Sequence, residues 1–405
     1  MEKLPLARRV ASEYVASLLP YPIRWRLTGR QYAWNFFQMR PIAKAGDGDV
    51  RLLIAPVNWA SQAYYWARAA ETLPRVSACN MVFGHTPSGV TVAPDVAVDK
   101  QVGRYSRAWA LRQRKEILNN FTHVIYEAEY PILPSLYGED VVAEINDLQS
   151  HGIQVAMLSH GSDVRTPSEH VETEPYSPFR GPLDGLTEAL ETGTALRRGA
   201  LNQVNAPKYV STPDLLRYVP QAAWLPTLTD PARWVDLPAP RLGEHKLRVL
   251  HVPSCSALKG TAHIRPAMER LQDQGLIEYT ELEGVPYQEM PERIAEADLV
   301  IDQVSMGLYG VASVEAMLAG RPVVAQAGDF IRQQVKERTG WDLPIIEATP
   351  DTIQQVVADI AQDPAAYSQV AQEGRKFALE VHSQKRAAEA LRPFLLPRAQ
   401  AKPES

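Results

Sequence analysis

Cysteine is almost missing from this chain: Cys79 and Cys255 are the only two in 405 residues. That excludes a disulfide framework and a cysteine-based zinc site, and it favours a reducing compartment, the cytoplasm. No apolar run approaches the ~20 residues that span a bilayer, and the N-terminus has no signal-peptide core. Neither the dinucleotide fingerprint G-x-G-x-x-G nor a phosphate loop ending Gly-Lys-Ser/Thr occurs, so neither NAD nor ATP binding is signalled and no cofactor is expected. An excess of positive charge is also lacking. The formal net charge is −5, which argues against a nucleic-acid partner. The histidines have no close paired spacing of the zinc-site kind. Asp47-Gly48-Asp49 has the Asp-x-Asp pattern of a metal site but precedes the first predicted strand, so it reads as a turn and no metal is expected.

What is present describes an ordinary globular protein, with 45% hydrophobic and 22% charged residues. The length exceeds what one core usually supports and implies two domains. Residues 1–49 stand apart: Lys3, Arg8, Arg9, Arg24, Arg26, Arg30, Arg40 and Lys44 alternate with Leu4, Tyr14, Trp25, Trp34 and Phe36. Two readings stay open for this segment. One is an appendage packed on the first domain; the other is a peripheral contact with an anionic inner membrane face through residues 1–45.

From Val50 onward, apolar strands alternate with helical stretches. Strands are predicted at 51–56, 76–83, 122–127, 153–159 and 208–211, and again at 247–252, 277–282, 299–302, 322–325 and 343–347. This alternation predicts parallel sheets with crossover helices on both faces, an α/β architecture of two Rossmann-like domains. The proline-rich stretch from Trp224 to Lys246 reads as the connection between them. The predicted division is 50–228 for the first domain, 229–246 for the linker and 247–375 for the second. A long, broken helical tail from about Pro364 to Leu395 follows, and 376–405 is set apart as the last segment.

Ligands of open α/β sheets bind beyond the carboxyl ends of the strands. That rule selects Asn58–Gln62, His160–Arg165 (HGSDVR), Pro253–Gly260 (PSCSALKG), Glu283–Tyr287 and Gln303–Gly310. Lys259 precedes a helix predicted to begin near Thr261. A lysine beside a helix N-terminus suits a diphosphate, although a solvated loop lysine reads the same way. Glu315 is an acid in the otherwise apolar helix of GLYGVASVEAMLAGRPVV (Gly307–Val324). Either it caps the helix or it meets hydrogen-bond donors, in the protein or on a ligand. His160 is either a satisfied strand-end residue or a site residue.

Taken together, these segments resemble the retaining family 4 glycosyltransferases of the GT-B fold. Lys259-Gly260 resembles that family's Lys-Gly element, and EGVPYQEM (Glu283–Met290) its nucleotide-base loop. ADLV (Ala297–Val300) resembles the strand before its donor loop, and YGVASVEAMLAGRPVVA its donor-binding helix. The resemblance runs from Leu247 to Leu395 and is weaker in the first half.

The resemblance implies two Rossmann-like domains facing across a cleft, with a C-terminal helix crossing back to the first. It implies a nucleotide-diphospho-sugar donor and transfer with retention and without metal. Glu315 would hold the ribose hydroxyls, Lys259 would neutralise the leaving diphosphate, and His160 would reach the sugar or diphosphate from the facing domain. Donor contacts would also come from Ser254, Gly260, Val285, Gln303 and the backbone of Leu308, Tyr309 and Gly310. Asn58, Gln62, Asp163 and Arg165 would line the acceptor side. The acceptor would be a glycan, a lipid-linked sugar or a secondary metabolite.

Two departures mark a divergent subgroup. The family's first glutamate, eight positions before Glu315, is Gly307 here, and its loop arginine aligns with Ser254. Arg165 or Arg265 is expected to replace that arginine, and Asp302-Gln303 to take over the sugar contacts. A sugar-nucleotide epimerase and a noncatalytic protein of the same fold are the alternatives.

Overall fold

The computed structural model describes residues 19–32, 40–84, 92–181, 183 and 185–396. Seven strands, β1 (Val50–Ala55), β2 (Val76–Phe83), β3 (Val96–Val98), β4 (His123–Glu127), β5 (Gln154–Ser159), β6 (Lys208–Val210) and β7 (Ala223–Trp224), form one sheet. Its order is β3-β2-β1-β4-β5-β6-β7. Five more, β8 (Leu247–His251), β9 (Ile277–Glu281), β10 (Leu299–Ile301), β11 (Val323–Ala325) and β12 (Ile346–Glu347), form a second sheet in the order β12-β11-β10-β8-β9. Every pairing is parallel.

The strand sequences explain this arrangement. Parallel strands are covered on both faces and so read as continuous apolar runs. Along β1, Leu53 and Ala55 belong to the core on one face, with Tyr126 and Met157. Leu52 and Ile54 belong to the core on the other, with Ile125 and Ala156. This is the period-two alternation of a strand buried twice.

The predicted helical tail is broken, as expected. A helix Ser368–Val381 ends before His382, and Ser383 Oγ accepts the Arg386 N–H at 3.1 Å to start a second helix, Gln384–Leu395. This last helix crosses back to the first sheet. Its Ala387, Leu391, Phe394 and Leu395 share a core with the helix Gln62–Ala70 and with Leu52 and Ile54. Each large apolar side chain buried this way contributes roughly 1.5–3 kcal/mol.

Three elements differ from the sequence reading. Trp224 lies in the edge strand β7 instead of opening a linker. The connection after it is not a solvated tether, because Leu225, Thr227, Leu228, Thr229 and Trp234 are all buried. An 18-residue helix, Leu186–Gln203, occupies a stretch to which the sequence reading assigned no element.

Of the basic N-terminal segment, residues before Leu19 and residues 33–39 lie outside the described residues. The described part packs on the first lobe. Arg24 Nη1 donates to Glu139 Oε1 at 2.8 Å, and Trp109 Nε1 donates to the Pro41 carbonyl at 2.8 Å. Leu19, Ile23 and Leu27, spaced by four, remain exposed.

Candidate active site

The second sheet reverses its order at β8. The chain moves from β8 to β9 on one side and then returns to β10 on the other. The crevice beyond such a switch point is where open α/β sheets bind ligands, and here it is bounded by the loops after β8 and β10. The loop after β8 contains a helical turn, Ser256–Lys259, closed by Gly260 at φ 76°. A Cβ on Gly260 would lie 2.8 Å from Val304 Cγ2, so glycine lets the two loops touch.

Lys259 reaches across this contact to Asp302, forming an ion pair. Asp302 also accepts the Gly310 N–H at 2.9 Å and the Ser313 hydroxyl at 2.6 Å, at the start of the helix Val311–Leu318. Burial alone would raise its pKa. Lys259, Ser313 and Gly310 outweigh burial and hold it below the usual carboxylate range. The helix expected near Thr261 begins there, directly after Lys259-Gly260, and through Asp302 the Lys259 side chain also meets the N-terminus of the helix 311–318. A Cβ on Gly310 would lie 3.6 Å from its Nζ.

Gln303 does not offer itself to a ligand. Its Nε2 donates to the carbonyls of Leu308 and Gln326, and its Oε1 accepts the N–H groups of Ser305 and Met306. With all four hydrogen-bonding positions used, it shapes the loop. The expectation that Asp302-Gln303 take over sugar contacts is thus corrected: one side chain is committed to Lys259 and the helix, the other to the loop backbone.

Glu315 is the fifth residue of its helix and bonds none of the first-turn N–H groups. Instead its Oε1 accepts the Thr229 hydroxyl at 3.3 Å, and the Tyr287 hydroxyl also bonds it. Thr229 Oγ1 accepts from Trp234 Nε1 at 3.1 Å, and Arg233 lies 4.1 Å from the centroid of the Tyr287 ring. Burial pushes the Glu315 carboxyl up to about 7 despite these hydroxyls. Of the two open readings, the capping role has no support in this geometry. The carboxylate faces hydroxyl groups.

At the level of sequence, no family model matches, and no curated protein does. Solved structures do. Sucrose-phosphate synthase from Thermosynechococcus elongatus is similar over 84% of this chain and 96% of its own, with 14% identity and a TM-score of 0.52. Anabaena HepE in complex with UDP and glucose is similar over 84% of this chain and 97% of its own, with 12% identity and a TM-score of 0.50. An alpha-glucosyltransferase in complex with UDP and a 13-mer DNA is similar over 82% of this chain and 95% of its own, with 11% identity and a TM-score of 0.52. The chain has the GT-B fold.

In this GT-B fold the first lobe brings His160 to the end of β5. Its Nε2 lies 3.0 Å from Glu127 Oε1, and its ring sits 5.0 Å from that of Trp59 and 5.5 Å from that of Trp66. Other first-lobe candidates are engaged in holding the protein itself. Asp163 accepts the N–H groups of His160, Gly161 and Val164. Asn58 Oδ1 accepts the Tyr64 N–H at 3.1 Å, and Gln62 exchanges hydrogen bonds with Leu228 at 2.7 and 2.8 Å. Arg165 is buried in an ion pair with Asp214, and Arg265 is paired with Glu281 on the surface. Neither arginine is free to replace the one missing at Ser254, which is exposed.

In the second GT-B lobe, Val285 is half-buried two residues before Tyr287. The Tyr309 side chain turns away from the crevice to His382, whose Nε2 lies 3.2 Å from its hydroxyl. His382 Nδ1 lies 2.8 Å from the Thr227 carbonyl, so Nδ1 donates there and Nε2 accepts from Tyr309. The N–H groups of Leu308 and Tyr309 have no hydrogen-bond partner among the described residues, whereas that of Gly310 is taken by Asp302.

Thr229 lies outside the segments selected from the sequence, whereas Trp59 and Tyr287 lie inside Asn58–Gln62 and Glu283–Tyr287 without being singled out. Only the aromatic character of Trp59, just after β1, gave a local signal.

Proposed function

We propose that this chain is a glycosyltransferase that moves a sugar from a nucleotide-diphospho-sugar to an acceptor hydroxyl. The observation that carries this reading is the convergence of Lys259 and the Leu308–Gly310 loop at the switch point of the second sheet, beside a buried carboxylate that faces hydroxyls. Residues 247–375 hold the donor, 50–228 present the acceptor across the cleft, and 229–246 link the two.

In this reading Glu315 exchanges its Thr229 and Tyr287 contacts for the ribose hydroxyls. Lys259, with the Leu308 and Tyr309 N–H groups, neutralises the leaving diphosphate. Donors fixed in place before charge develops act without reorganisation, and the reading assigns this charge to them instead of to a metal. His160 reaches the transferred sugar from the first lobe, and retention of configuration follows the family resemblance. HepE and the alpha-glucosyltransferase were each solved with UDP, which makes UDP-sugars the first donors to try.

The test is release of nucleoside diphosphate with mass transfer to glycan, lipid-linked sugar and small-molecule acceptors, the anomeric proton coupling of the product reporting retention. Interconversion of sugar nucleotides with no transfer would favour an epimerase instead.

The same reading places the acceptor near a membrane surface. Its support is the exposed trio Leu19, Ile23 and Leu27 in a segment that also carries Arg26 and Arg30. The full chain is expected to float with anionic vesicles and to stay behind when residues 1–45 are removed. Equal behaviour of both forms contradicts membrane contact.

A further inference from the structure

The carboxyl ends of the neighbouring strands β1, β4 and β5 meet in an aromatic corner. The polar residues expected to line the acceptor side are committed to the protein. Asn58, Gln62, Asp163 and Arg165 are buried and bonded internally, and the His160 side chain is only 7% exposed. What stays open there is Trp59, 42% exposed just after β1, and the half-buried Tyr130 just after β4.

Trp59 and Tyr130 meet edge to face, with ring centroids 6.5 Å apart and planes at 82°. Trp59 meets His160 in the same manner, at 5.0 Å and 73°. Among the described residues no ring stacks in parallel on the indole, and its Nε1–H has no acceptor. The Tyr130 hydroxyl accepts from Arg197 Nη2 at 2.8 Å, while its own O–H has no acceptor among the same residues. Arg197 also lies 4.8 Å from the Tyr130 ring centroid, which fixes that ring from the side of the helix Leu186–Gln203.

The backbone that presents this corner is strained on both sides. Ala60 and Ser61 follow Trp59 at φ 49° and 62°, and Ala128 and Glu129 precede Tyr130 at φ 54° and 55°. Non-glycine residues held in the left-handed region cost conformational energy and persist only where their surroundings enforce them, commonly at ligand sites. Here Ser61 Oγ accepts the Val92 N–H at 2.7 Å, and Glu129 Oε1 accepts the Ser159 hydroxyl at 2.8 Å.

An open indole flanked by two unused donors selects among ligand chemistries. A hydrocarbon chain would leave both donors without acceptors. A flat aromatic molecule would cover the indole but meets no second, parallel wall. A pyranose ring lays its C–H face on the indole and directs hydroxyl oxygens outward, where the two donors stand. We propose that Trp59 and Tyr130 form the acceptor subsite and that a sugar ring occupies it. The proposal rests on the glycosyltransferase reading above and deepens it, selecting a glycan or lipid-linked sugar over a secondary metabolite without a sugar.

The experiment measures binding of methyl glucosides, methyl mannosides, maltose and cellobiose to the full chain by tryptophan fluorescence and saturation-transfer NMR. Umbelliferone serves as the flat aromatic control. Each probe is tested alone and with UDP, GDP, ADP or TDP. At least one sugar is expected to bind, to weaken about tenfold or more in Trp59→Ala, and to stay within about threefold in Trp59→Phe, which keeps a ring. Tyr130→Phe, which keeps the test valid if Trp59→Ala folds poorly, is expected to cost about two- to tenfold, the size of one neutral hydrogen bond. Nucleoside diphosphate affinity should stay within about twofold in all three variants. Binding of umbelliferone and of no sugar, or sugar binding equal in all four proteins, overturns the proposal. A chain that binds a nucleoside diphosphate but no sugar refutes this subsite alone, whereas a chain that binds neither refutes the donor-site reading as well.

Discussion

Lys259→Ala is expected to lower sugar transfer by about 10²–10³-fold, the usual loss when a fixed donor to a developing negative charge is removed. The same substitution should also destabilise the fold, for a separable reason. Asp302 is buried, and without Lys259 its charge keeps only the Gly310 N–H and the Ser313 hydroxyl. Removing one partner of a buried ion pair costs about 3–5 kcal/mol. Lys259→Ala with Asp302→Asn removes that uncompensated charge, so the double variant should regain most of its thermal stability and still fail to transfer sugar. Recovery of transfer in the double variant would show that Lys259 serves only to neutralise Asp302. Chemical denaturation and a transfer assay on the three proteins separate the two roles.

Glu315→Gln is expected to act in opposite directions on stability and on binding. The carboxyl titrates at about 7 in the fold against 4.5 ordinarily, because burial penalises its charge. A carboxyl whose pKa is raised by folding stabilises the protein fully below pH 4.5, and this contribution is lost as pH rises through 7. The difference corresponds to about 3 kcal/mol. Glutamine resembles the protonated form and does not titrate. The variant should therefore match the parent near pH 4.5 and exceed it in unfolding free energy by about 3 kcal/mol at pH 8. Nucleotide binding should weaken about 10–100-fold at pH 8, since a charged acceptor has been removed from the hydroxyls it would hold. A stability difference that is flat with pH would mean that Glu315 is ionised as easily in the fold as in water. Unchanged nucleotide affinity would remove it from the donor site.

The central strands were legible because burial on both faces writes itself into sequence as uninterrupted apolar runs, as in Arg51–Ala55 and Val323–Ala325. The edge strands β3 and β7 were not, having three and two residues respectively and no pattern long enough to show a period. The helix Leu186–Gln203 was less visible because its buried stripe of Leu186, Ala189 and Leu190 continues as the small or polar Gly193 and Thr194, while Leu196 is exposed. Within the site, Lys259 and Glu315 were legible because a charge beside a loop glycine or inside an apolar helix stands out locally. Their partners were not. Asp302 lies 43 residues from Lys259, and Thr229 lies 86 from Glu315. Arg165 and Asp163 look like ligand-binding groups in HGSDVR. Only the structure shows their hydrogen bonds already committed to Asp214 and to the loop backbone.

The account stands most directly on whether the second lobe binds a nucleoside diphosphate at Lys259. Thermal denaturation of the intact chain with UDP, GDP, ADP, TDP and their glucose esters measures this. One nucleotide series should stabilise the fold, by about 2.7 kcal/mol at a hundredfold excess over its dissociation constant. That gain should vanish in the Lys259→Ala, Asp302→Asn protein. No stabilisation by any of the eight compounds, or stabilisation that persists undiminished in the double variant, would contradict the account.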